Sequence, residues 1–176
     1  MAYRSLIQHD WHAEAFRTGD AYQIVVNVGC DEVLCRTYSI AVGLEPQPGG
    51  AMEFYFMVVE ADEINNTEIT CFSGLKTLAM LPREERRVVL RAILHATRLL
   101  LGQVNPAIVN WCTWDENPPR KALDKHLLIA KVFEVCGYEV GTSDAYHGHH
   151  VWWAERKVRP GFPFEGGNDD EARRTD

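Results

Sequence analysis

The sequence predicts an α+β protein: a mixed, mostly antiparallel sheet packed by two principal helices. Three features lead there. From Tyr22 onward the apolar residues alternate with a period of two between runs of turn-forming residues, so strands come first. Two later stretches, opening at Pro82 and at Asn117, repeat their apolar residues every three or four positions and so gather them on one face of a helix. Short β-branched and aromatic runs separate and follow these helices, which gives a layered α+β order. With 176 residues, 46% of them hydrophobic, the chain is long enough to bury a core of its own. One domain is expected over residues 1–160, followed by a flexible charged tail over 161–176, where Gly, Asp, Glu and Arg dominate.

Asp10 to Thr18 is expected to form a short helix, with Asp10 as its N-cap and Gly19 as its stop. Tyr22 to Val28 and Val33 to Val42 then read as paired strands, with Gly29-Cys30-Asp31-Glu32 turning between them. The prolines and glycines of Glu45 to Gly50 mark a loop. Met52 to Glu60 follows, apolar on both faces, as a buried central strand, and Glu68 to Phe72 is a shorter one. Pro82 with Glu84 and Glu85 opens the first long helix, whose inward stripe is Val89, Leu90, Ile93, Leu94, Leu100 and Leu101, and Gly102 ends it. Pro106 to Trp111 is a strand. Asn117-Pro118-Pro119 opens the second helix, which runs to Cys136 and stops at Gly137; Glu139 to Ser143 and His150 to Glu155 close the chain as strands.

The net charge of -7 gives no general attraction to phosphate backbones and disfavours nucleic acid as a partner. A small molecule or a protein is expected instead. The five cysteines, Cys30, Cys35, Cys71, Cys112 and Cys136, are odd in number, lack C-x-x-C spacing and mostly sit in apolar runs, which suits free thiols in a reducing cytoplasm. Nothing near Met1 is laid out as a signal peptide, and no apolar run approaches the roughly 20 residues that span a bilayer, so no membrane partner is expected.

Several residues carry chemistry worth locating. His147-Gly148-His149-His150 has imidazoles that could ligate a metal with help from His9, His12, Asp144 or Glu155, but a polar hairpin turn weighs more, and no metal site is expected. His126 shares a helical stripe with Ile129, Ala130 and Phe133, so it should face the interior as a core histidine; a general base is the sharper alternative. Glu53 and Glu60 bracket the Met52–Glu60 strand on opposite faces, as polar strand ends. Trp111, Cys112 and Trp114, just past a strand, are where a ligand cleft is expected, with Trp152 and Trp153 as further apolar walls.

The second half of the chain resembles the GNAT-type N-acyltransferases, whose last helix often carries N-x-x-A-x-x-L-Y-x-x-x-G-F. In that frame Val132, Gly137 and Tyr138 stand at matching positions, while His126 replaces the asparagine, Ile129 the alanine and Phe133 the tyrosine. That tyrosine commonly protonates the leaving thiolate, and a phenyl ring has no proton to give. The resemblance also implies an R/Q-x-x-G-x-G/A loop opening the preceding helix, where glycines admit the coenzyme A pyrophosphate to backbone N–H groups. Leu81-Pro82-Arg83-Glu84-Glu85-Arg86-Arg87-Val88 stands there instead, with no glycine and one N–H removed by Pro82; Gly74 is the nearest glycine and lies well before the helix. The resemblance thus implies a GNAT-like fold without acyl transfer, binding a small ligand or a protein through its cleft, with no cofactor expected. The alternative is an acyl-CoA-dependent N-acyltransferase that holds acetyl-CoA or another acyl-CoA through Arg83, Arg86 and Arg87, with Glu53, Glu60 or His126 as base.

Overall fold

The computed structural model describes residues 3–7, 11 and 13–157. Among the described residues nine strands form one sheet: β1 (Tyr3–Ser5), β2 (Phe16–Thr18), β3 (Ala21–Asp31), β4 (Arg36–Pro46), β5 (Met52–Asp62), β6 (Thr67–Cys71), β7 (Ile108–Cys112), β8 (Tyr138–Tyr146) and β9 (His149–Arg156). The helices described between them are α1 (Thr77–Met80), α2 (Arg86–Val104) and α3 (Arg120–Val135). The strand order is β1-β3-β4-β5-β7-β9-β8, with β2 beside β3 and β6 beside β5. Every pairing is antiparallel except β5 with β7, which makes the sheet mixed but mostly antiparallel. No described helix is long and apolar enough to cross a membrane.

The alternation of the first half is realised as packing. Ile24 and Val28 of β3, Ile40, Val42 and Leu44 of β4, and Phe54 and Val58 of β5 point their side chains into one core. Helix α2 supplies Val89, Ile93, Ala96 and Leu100 to that core and packs across β3 and β4, while α3 packs across β8 and β9 and meets α2. On α3 the buried residues are His126, Ile129, Ala130 and Phe133, the stripe that the spacing predicts. The central position of β5 follows from its neighbours: β4 pairs along its whole length on one edge, and β7 and β6 share the other.

Several boundaries differ from the sequence expectation, each for a local reason. Phe16–Thr18 is a strand rather than part of a helix, because Gly19 at φ 60° turns the chain so that Thr18 pairs with Ala21 and Phe16 with Gln23. Asp10, the expected N-cap, and the tail over 161–176 lie outside the described residues. The β3–β4 turn is at residues 32–35, not at Gly29-Cys30-Asp31-Glu32: the Asp31 carboxylate accepts the N–H groups of Val33 (3.1 Å) and Leu34 (3.0 Å) and fixes the bend three residues later. Gly29 instead lies within β3 at a register shift, beneath the Tyr3 ring. Helix α2 begins at Arg86 after a turn over residues 82–85, and it runs past Gly102 to Val104, where Asn105 in the left-handed region (φ 57°) ends it. The short α1 has no counterpart in the sequence reading.

Tyr138, the aromatic after Gly137, is fully buried, and its hydroxyl donates to the Pro106 carbonyl at 2.7 Å and accepts from Arg156 Nη2 at 2.9 Å. It locks the end of α3 to the strand entering β7. Tyr138→Phe leaves a buried carbonyl unpartnered, and urea unfolding is expected to show a loss of about 1–2 kcal/mol. An unchanged midpoint would show that this bond contributes nothing.

Candidate functional site

The site arises where the sheet parts. Parallel strands β5 and β7 pair only at Met52–Val109 and Glu53–Asn110, and β6 does not meet β5 until Val58. Residues 54–57 of β5 therefore have no ladder partner on that edge, and a cleft opens there between β5 and the end of β7. Its cavity volume is about 100 Å³.

The cleft floor, Trp111, rests on a column of stacked rings. Trp111 lies on Phe133 (4.9 Å, 14°) and on Trp152 (5.9 Å, 7°), and His126 lies on the far face of the same column against Trp152 (4.8 Å, 9°). Trp111 Nε1, Trp152 Nε1 and His126 Nδ1 are buried without a protein partner among the described residues. Burial, then the neighbouring Lys125 and His150, push the His126 pKa down to about 3, so this imidazole is neutral at pH 7.

The roof joins two linkers that are distant in sequence. Asp115 accepts the Ser73 hydroxyl at 2.6 Å and the Gly74 N–H at 3.0 Å, and Phe72 stacks on Trp114 (4.8 Å, 22°). The chain leaving β6 is thus tied over the gap to the chain leaving β7. Lys125 of α3 reaches under this clasp, with its Nζ 5.1 Å from the centre of the Phe56 ring.

The residues singled out from sequence divide between the cleft and other surroundings. Trp111, Cys112, Trp114, Glu53 and His126 all border the cleft. Trp111 is core-like floor at 2% exposure, whereas Trp114, at 62%, is an outer wall. Partial burial, then Glu53, raise the Cys112 thiol pKa, which lowers its thiolate fraction. Glu53 accepts a hydrogen bond from Gln47 Nε2 at 2.8 Å. Glu60 is elsewhere: buried on the helix-covered face, it pairs with Arg36 at 3.0 Å. Arg86 donates from Nε to the Leu81 carbonyl (3.2 Å) and from Nη2 to the Leu78 carbonyl (2.8 Å), bracing α1 against the start of α2, while Arg83 and Arg87 are exposed beside it. Trp153 packs over Gly141 of β8 rather than in the cleft.

The histidine segment is a hairpin turn between β8 and β9, with His147 (φ 47°) and Gly148 (φ 79°) at its bend. His149 Nδ1 contacts the Thr113 carbonyl at 2.7 Å, so the turn is fastened to the cleft rim. Among the described residues no three His, Cys, Asp or Glu side chains converge as metal ligands, and His9 and His12 lie outside those residues. Sequence reasoning passed over Lys125, Asp115 and Phe72 and gave Gly74 little weight. Only the Gly74 backbone was a visible signal; a lysine on a helix ordinarily marks a solvated face.

The fold and cleft define an α+β protein with a small aromatic-walled cavity at a break in its sheet. Comparison with protein-family models, with curated proteins and with solved structures finds no match to the chain.

Proposed function

We propose that the chain is a divergent relative of the GNAT-type acyltransferases that holds a small one-ring ligand in the cleft and does not transfer acyl groups. One observation carries this reading: the cleft keeps aromatic walls, while the family's acid is replaced by Phe133, His126 is held neutral and Glu60 lies elsewhere, which leaves Glu53 alone of the candidates named from sequence as a base at the cleft. Phe133, at the family's tyrosine position, is fully buried behind Trp111 and outside the cleft. With its pKa held down to about 3, His126 is a neutral imidazole at pH 7, a weak base with no imidazolium proton to give. Glu60 is committed to Arg36. The start of α2 offers no glycine, and Arg86 is engaged with carbonyls of the preceding turn. The element order supports the kinship: antiparallel strands, helix, strand, helix and a closing hairpin, with Gly137-Tyr138 ending the last helix.

Size and charge narrow the ligand. An apolar cavity of about 150 Å³ holds a benzene ring; the cleft, at about 100 Å³, is smaller, so it takes one ring at most, with part of that ring left at the open mouth. Glu53 and Asp115 border it against one cation, Lys125, which favours a neutral or cationic ring.

The second reading, an active N-acyltransferase using acetyl-CoA or another acyl-CoA, is favoured by one specific placement: Glu53 stands at the cleft, where a base for an acceptor amine would be needed. Calorimetric titration separates the two. Benzylamine is expected to bind, benzoate to bind more weakly, Trp114→Ala to weaken benzylamine by about tenfold, and acetyl-CoA to give no heat at millimolar concentration. Micromolar acetyl-CoA binding with transfer to an amine would establish the second reading, and absence of benzylamine binding would sink the first.

A further inference from the structure

Behind the cleft lies a second chamber of about 210 Å³, between β5, α1 and the first half of α2. Val58, Leu78, Leu81, Val89, Leu90 and Ile93 give it aliphatic walls. The two chambers share Phe56, Phe72, Gly74 and Lys125. Their charge is opposite in character. Among the described residues two carboxylates border the first, whereas none borders the second, whose only charged neighbours are Lys125 and Arg86.

Lys125 is the pivot. Among the described residues no carboxylate lies within ion-pair distance of its ammonium, and each oxygen of Asp115 accepts a hydrogen bond from Ser73 or Gly74. Gly74 makes the close fit possible, since a Cβ added there would stand 2.6 Å from Lys125 Nζ. Burial lowers the lysine pKa, opposed by Asp115 and Cys71, so the charge is held at a solvation cost without a counter-ion in contact. The rest of the chamber offers little to a polyhydroxylated ligand: the Thr77 hydroxyl already donates to the Gly74 carbonyl at 2.9 Å.

We propose that this second chamber binds a straight-chain aliphatic monocarboxylate, its carboxylate against Lys125 and its alkyl chain along Leu81, Val89, Leu90 and Ile93. Charge complementarity selects the anion, and the aliphatic walls select the chain. The volume exceeds the roughly 150 Å³ that holds a six-carbon ring, which allows an alkyl chain of about six to eight carbons.

The test is calorimetry on the full chain with acetate, butyrate, hexanoate and octanoate, with 1-octanol as the uncharged control. Affinity is expected to rise by about fourfold for each added methylene until the chamber is full, and octanoate is expected to bind at least about tenfold tighter than 1-octanol. Lys125→Met should abolish that preference while leaving 1-octanol binding intact, and Leu90→Trp should fill the chamber and block both ligands. Circular dichroism establishes that each variant is folded, and 1-octanol binding by K125M shows that its chamber is intact. Affinity independent of chain length, equal binding of acid and alcohol, or octanoate binding undiminished in L90W would overturn the proposal. Benzylamine binding in the first chamber is expected to survive Leu90→Trp, so failure here is distinguishable from failure of the cleft reading.

Discussion

Replacing Phe133 by alanine is expected to lower the unfolding free energy by about 3–5 kcal/mol, the range for truncating a fully buried phenylalanine. The upper half of that range is anticipated because the ring is the hub of the aromatic core. It stacks on Trp111 and meets Phe54 (5.6 Å, 89°) and Tyr138 (5.5 Å, 79°) edge-on. Such contacts each add about 0.5–1.5 kcal/mol beyond area burial, and all are lost together. Urea unfolding monitored by tryptophan fluorescence measures the change. Phe133→Tyr supplies a sharper comparison, since it restores the residue that the resembling enzymes use as an acid. Here the added hydroxyl enters a site with no solvent exposure, and a cost of about 1–3 kcal/mol is expected, with no acyl transfer gained. A stable Phe133→Tyr variant that acetylates amines would mean that this face of α3 opens to the cleft after all.

Features governed by local periodicity were legible in the sequence. The stripe His126, Ile129, Ala130 and Phe133 is buried as its spacing requires, and β5 begins at Met52 where the apolar run places it, whereas β4 starts at Arg36 and runs to Pro46, three to four residues later than alternation places it. Glu60 departs from the expected polar strand end at the surface: it is buried and paired with Arg36 on the neighbouring strand. The N-terminal segment misled because Gly19 stops a helix and turns a hairpin equally well; the pairing of Phe16–Thr18 with β3 decides between them. The clasp over the cleft could not be read at all. Ser73 and Asp115 are 42 positions apart, and neither shows its partner until the sheet has parted between β5 and β7. Lys125 is hidden for the same reason: its neighbours Phe56 and Gly74 come from β5 and from the β6–α1 linker.

Acid should destabilise the protein partly through His126. Its folded-state pKa of about 3 lies below the ordinary 6.5, chiefly because burial penalises the imidazolium, with Lys125 and His150 adding like charge. The unfolded chain therefore takes up the proton first. The contribution to stability is fully present above pH 6.5 and is lost as pH falls from there toward 3. At about 1.4 kcal/mol per unit, the loss between pH 7.5 and 4.5 is expected to be about 2–3 kcal/mol from this residue alone. Carboxylates titrate near the bottom of the same interval, so the diagnostic quantity is a difference between proteins. His126→Phe keeps a ring between Phe56 and Trp152, where the imidazole now lies at 5.7 Å and 4.8 Å, but has no nitrogen to protonate. Urea unfolding at a series of pH values should show the wild-type protein losing about 2–3 kcal/mol more than His126→Phe over that interval. Parallel stability curves would mean that the imidazole finds water or an acceptor in the cleft, and a cleft wet at that depth would be a poor host for an apolar ring.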